Sequence, residues 1–196
     1  QFRQYTIDAF TEFPNADVDV NPTNDRCLQS AVAPALSPEN YYIGAFAGSS
    51  NTFATISDGT TYLSQAGVIG DGTLTFIFPV ADPGPANYDG PIYVGAYPSI
   101  GTNTVAFKSE SGNPEDVIIN FNPDGTTPYL MTLNTVNNTS IEGLTFNTSA
   151  SGSGYGGIID LQSCQNVLIK NNIFTNVSGA GWDLNNTSIN ISGGYD

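Results

Sequence analysis

Twenty consecutive residues match themselves, without a gap, 28 positions further along the chain. Residues 129–148 read YLMTLNTVNNTSIEGLTFNT and residues 157–176 read GIIDLQSCQNVLIKNNIFTN. At that offset Leu130 meets Ile158, Leu133 meets Leu161, Val136 meets Cys164, Ile141 meets Ile169 and Phe146 meets Phe174. Asn138 meets Asn166 as well. A fixed period of about 20–50 residues is the mark of a repeat architecture. Each unit holds two or three short apolar runs separated by tight polar corners. Such a unit cannot bury its own apolar face, so it must stack on copies of itself. Stacking sets like over like. It predicts an aromatic ladder at Phe146 and Phe174, and an amide ladder at Asn138 and Asn166, at a corner where asparagine tolerates left-handed backbone. A third, weaker unit is read at 181–194, with Ile189 and Ile191 22 residues after Val167 and Ile169. The expected fold is all-β, a right-handed parallel β-helix; the alternative is an ordinary β-sandwich with a chance self-match.

Upstream, strand signals follow in quick succession, most separated by Gly, Pro, Asn or Asp. They lie at Leu74–Phe78, Ile92–Val94, Thr104–Phe107, Val117–Phe121, Leu130–Leu133, Ile141–Phe146, Ile158–Leu161, Val167–Ile169 and Ile173–Phe174. Only 11% of residues are charged, against roughly 25% in ordinary soluble chains. Glu, Lys and Arg are too scarce for long helices. One short helix is expected. Phe53, Ile56, Thr60, Leu63 and Gly67 form a helical stripe, with Ser57 or Asp58 as its cap and Gly67 as its stop. A helix there shields the open end of a stack and blocks edge pairing. Residues 1–45 read as an irregular N-terminal arm, with a short strand at Tyr5-Thr6-Ile7 and a short helix within Leu28–Leu36 that Pro34 interrupts. Residues 46–196 read as the cap and first turns of the solenoid. The pattern reaches Asp196 without a C-terminal cap, so the sequence predicts that the solenoid continues in a longer chain. A chain that starts at Gln1 reads as a mature product whose first residue cyclises to pyroglutamate.

Eighteen acids face four bases, Arg3, Arg26, Lys108 and Lys170, for a net charge of −14. That charge repels nucleic acid and anionic membrane surfaces and makes a poor groove for acidic glycans. No stretch approaches the roughly 20 apolar residues of a membrane span. The two cysteines, Cys27 and Cys164, are compatible with one disulfide in an oxidising compartment or with two buried thiols. The expected partners are other surface proteins, extracellular glycans and further domains of the same chain.

One segment order resembles a known family. FATISDGTTYLSQAGVIGDGTLTFIF is followed by PIYVGAYPSIGTNTVAFKSESGNPEDVIINF and then NTSIEGLTF. This is similar to the opening of secreted right-handed β-helix proteins of Bacteroidetes, in the pectin-lyase-like group, over about residues 50–178. The resemblance implies export by type 9 secretion and a place on the cell surface as adhesin or matrix component.

Little points to catalysis. Lyases of that fold group imply clustered carboxylates with calcium and a basic residue. Residues 130–196 hold Glu142, Asp160, Asp183, Asp196 and Lys170. Glu142 aligns with Lys170 at the repeat offset, which predicts an exposed ion pair. There is no His, which excludes Ser-His and Cys-His nucleophiles. The hydrolase motifs Asn-Thr-Asp, Asp-Asp and Gly-His-Gly do not occur. A calcium site is conceivable in the arm at Asp17, Asp19, Asn21 and Asp25, whose alternation offers hard oxygen ligands; the alternative is a solvated acidic loop. Sequons at Asn137, Asn138, Asn147, Asn176, Asn185, Asn186 and Asn190 are read as polar corners rather than glycan acceptors. The expectation is a non-catalytic extracellular surface or adhesin module with no cofactor. The alternatives are a polysaccharide-binding or polysaccharide-degrading β-helix with its working turns after residue 196, and a phage or viral fibre module.

Overall fold

The computed structural model describes residues 6–10, 26–30, 35–44, 51–81, 83–122, 124, 126–148, 157–175 and 189–192. The chain divides into two compact units, Gln1–Ala35 and Leu36–Asp196. In the first, β1 (Thr6–Phe10) pairs antiparallel with β2 (Arg26–Ser30), with Thr6 opposite Ser30 and Phe10 opposite Arg26. The strand expected at Tyr5-Thr6-Ile7 is present over Thr6 and Ile7, and Tyr5 lies outside the described residues. Of the helix expected within Leu28–Leu36, Leu28 to Ser30 are strand instead, because cross-strand pairing with Asp8, Ile7 and Thr6 overrides a weak helical preference, and residues 31–34 lie outside the described residues. The arm is thus less irregular than its composition suggests.

The second unit opens with β3 (Asn40–Ile43) and β4 (Thr52–Phe53), which pair in parallel. Helix α1 (Ile56–Ala66) follows. Its cap is Thr55, two residues before Ser57 and three before Asp58, the two expected caps. The Thr55 hydroxyl accepts from Asp58 N at 3.1 Å and Asp58 Oδ2 accepts from Thr55 N at 3.1 Å. Asp58 is therefore the reciprocal partner of a capping box rather than the cap. The helix stops where expected, at Gly67, with φ +73° and its N–H on Leu63 O at 2.8 Å. A Cβ there would stand 2.2 Å from Pro98 O, so both backbone angle and space require glycine. The buried stripe is Ile56, Gly59, Thr60 and Leu63. At Gly59 a Cβ would stand 2.9 Å from the Phe76 ring.

After β5 (Val68–Ile69) the chain makes four passes through three sheets in the same order. The first pass is β6 (Gly72–Phe78), β7 (Ala86–Asp89) and β8 (Ile92–Val94). The short β9 (Ser99–Ile100) pairs with β5 and leads to the second pass. That pass is β10 (Asn103–Ser109), a 3-10 turn at Pro114–Asp116, β11 (Val117–Phe121) and β12 (Tyr129–Asn134). The third is β13 (Asn137–Glu142), β14 (Thr145–Thr148) and β15 (Gly157–Gln162). The fourth is β16 (Gln165–Lys170), β17 (Ile173–Thr175) and β18 (Ile189–Ser192). The first sheet runs β16-β13-β10-β6-β3-β4, the second β17-β14-β11-β7 and the third β18-β15-β12-β8. All pairings in these three are parallel, and each sheet is open. Among the described residues strand makes up 55% and helix 11%, so the fold is all-β.

The 28-residue self-match is the ladder register. Leu133 pairs with Leu161, Ile141 with Ile169 and Phe146 with Phe174. Inward residues stack from pass to pass: Leu74, Val105, Thr139 and Val167 in one row, Phe76, Phe107, Ile141 and Ile169 in the next. The rings of Phe146 and Phe174 stack at 5.7 Å and 21°, and those of Phe76 and Phe107 at 5.2 Å and 22°. Phe76, Phe107 and Phe146 are fully buried, each contributing roughly 2–3 kcal/mol of transfer free energy.

Two further expectations are corrected. The run Ile141–Phe146 is two strands, not one. It breaks at Gly143, φ +64°, where a Cβ would stand 2.8 Å from Gly112 O. Ile141 thereby faces the core from the first sheet and Phe146 from the second. Ile189 and Ile191 pair with Ile159 and Leu161, not with Val167 and Ile169 as the 22-residue spacing implied. Apolar alternation alone does not say which of three sheets a strand joins.

Candidate functional site: a polar cleft on the first sheet

Side chains of a strand alternate between its faces. On the first sheet the inward set fills the core, and the outward set forms three rows that cross the strands. Thr73, Thr104, Asn138 and Asn166 make one row; Thr75, Ala106, Ser140 and Leu168 the middle one; Ile77, Lys108, Glu142 and Lys170 the third. The middle row is small over three of its four strands. It forms the floor of a cleft of about 420 Å³ walled by the two flanking rows. A second hollow over Glu110, Gly112 and Asn171 adjoins it at Lys108 and Glu142. A third, beside Tyr97 and Ser99, adjoins it at Asn138.

The amide wall is held by the fold. Asn138 and Asn166 both adopt left-handed backbone, φ +51° and +53°, and Asn166 Nδ2 donates to Asn138 Oδ1 at 3.1 Å. The predicted amide ladder is present. A second one, which sequence reading missed, crosses the second sheet: Asn147 Nδ2 donates to Asn120 Oδ1 at 2.7 Å and Asn120 Nδ2 to Asn87 Oδ1 at 3.1 Å. The charged wall carries the predicted ion pair, Lys170 Nζ to Glu142 Oε2 at 3.3 Å. Lys170 is 54% and Glu142 29% exposed, so the pair contributes about 0–1 kcal/mol. Lys108 stands in register with Glu142 on its other side. Both lysines of the chain thus share one wall, 62 residues apart in sequence. Burial raises the Tyr97 phenol above its ordinary range beside the adjoining hollow.

The floor holds an anomaly. Thr75 is 6% and Ser140 8% exposed, yet among the described residues neither hydroxyl has a protein partner. Buried polar side chains are normally paired, and a hydroxyl offers one donor and two acceptor positions. Both line the cleft.

Of the other acids, Asp160 lies on the third sheet, opposite Thr132 and Asn190, buried and accepting from Gln162 Nε2 at 2.5 Å. Glu142 and Asp160 therefore sit on different sheets. Cys164 is a half-buried free thiol at a corner, donating to Leu133 O at 3.2 Å and Gln162 O at 3.3 Å. Its expected disulfide partner, Cys27, is a strand residue of the first unit, and the Cys27 side chain lies outside the described residues. Gln1, the calcium candidates Asp17, Asp19, Asn21 and Asp25, and the acids Asp183 and Asp196 also lie outside them. Among the described residues no three His, Cys, Asp or Glu side chains converge on one point. No described helix is long and apolar enough to cross a membrane.

Family models, curated proteins and solved structures were all compared with the chain, and none matches.

Proposed function

We propose that the chain is a stretch of a right-handed parallel β-helix that serves as a non-catalytic, extracellular surface module of adhesive or scaffolding type. The observation that carries this reading is where the polar side chains are spent. At repeat-equivalent corners and faces they bond along the stacking axis: Asn138 with Asn166, Asn87 with Asn120, Asn120 with Asn147, and Glu142 with Lys170. Asn172 does the same through the backbone, accepting from Leu144 N at 3.0 Å and donating to Ile141 O at 2.8 Å. Such groups fasten one turn to the next; they do not converge on a reacting centre. Helix α1, packed on Phe53, Phe76 and β8, is the cap at one end. The low charged fraction, the acidity and the resemblance to secreted β-helix proteins of Bacteroidetes support an extracellular place.

The test is labelling of intact source cells with antibodies raised against residues 36–196. Signal without permeabilisation supports the reading; signal only after permeabilisation overturns the location. Release of reducing ends or of unsaturated uronates from a polysaccharide would overturn the non-catalytic part.

A further inference from the structure

We draw no further inference here: the strongest candidate, the half-buried apolar end of the stack where Val167, Ile169, Phe174 and Ile189 lie on the edge strands β16, β17 and β18, carries nothing because nothing in the structure shows what covers it.

Discussion

Phe146 and Phe174 occupy the same position in successive passes, yet their burial differs, and that difference yields a quantitative test. Phe146 is fully buried, with Ile119 beside it on one strand and Phe174 on the other. Phe174 is half-buried on β17, which forms the edge of its sheet among the described residues. Phe146→Ala removes a whole ring from a closed site and is expected to destabilise by about 3–5 kcal/mol. Phe174→Ala removes a ring already partly hydrated, at roughly 1–2 kcal/mol. Both include the stacking at 5.7 Å, so the double variant falls short of additivity by about 0.5–1.5 kcal/mol. Urea unfolding followed by far-UV circular dichroism reads all three. With a slope near 2 kcal/mol/M, the midpoint drops by about 2 M for Phe146→Ala and about 0.5–1 M for Phe174→Ala. Equal shifts for the two, or strict additivity, would refute the stacked arrangement from which the function is argued.

Four other outcomes follow from named contacts. Asn138→Ala loses the bond from Asn166 and strains a left-handed residue, and is expected to cost about 1–2 kcal/mol, whereas Asn138→Gly recovers the backbone part. Gly67→Ala forces a Cβ onto Pro98 O, which accepts from Val68 N at 2.9 Å; thermal unfolding should show a loss of about 1–3 kcal/mol, and an unchanged midpoint would contradict the cap. Burial and the nearby Glu110 carboxylate push Tyr88 up to about 12. The neutral phenol is thus favoured in the folded state, so its stabilisation is complete below pH 10 and fades as pH rises towards 12; Tyr88→Phe should remove that part of the alkaline slope, read by unfolding at pH 9 and 12. Glu142→Gln should change the stability read by urea unfolding by less than about 1 kcal/mol, and by less still at high salt, since the pair is exposed.

The cleft was not visible in the sequence, and the reason is arithmetical. Its floor residues Thr75, Ala106, Ser140 and Leu168 are successively 31, 34 and 28 positions apart. A self-match stands out where one offset holds through a whole pass: 28 residues holds across all three sheets, whereas 31 holds for the first two sheets of the preceding pass only. Strands such as Ala86–Asp89 and Ser99–Ile100 escaped for a related cause: they have little apolar or β-branched character and exist because a neighbour in the stack supplies their hydrogen bonds.

What the sequence by itself determined is the local and the periodic. Glycine at 67 ends the helix, and like residues 28 apart stack, because short apolar runs of this kind cannot leave water alone. What only the tertiary structure decided is assignment. It puts Ile141 and Phe146 on different sheets, sends Ile189 to the third sheet, and brings Lys108, Glu142 and Lys170 into one wall. Alternation tells a side chain to face in or out, but all three sheets share one apolar interior. Which sheet a strand joins is set by corner length and backbone angle at residues such as Gly143, and those act only once the passes are stacked.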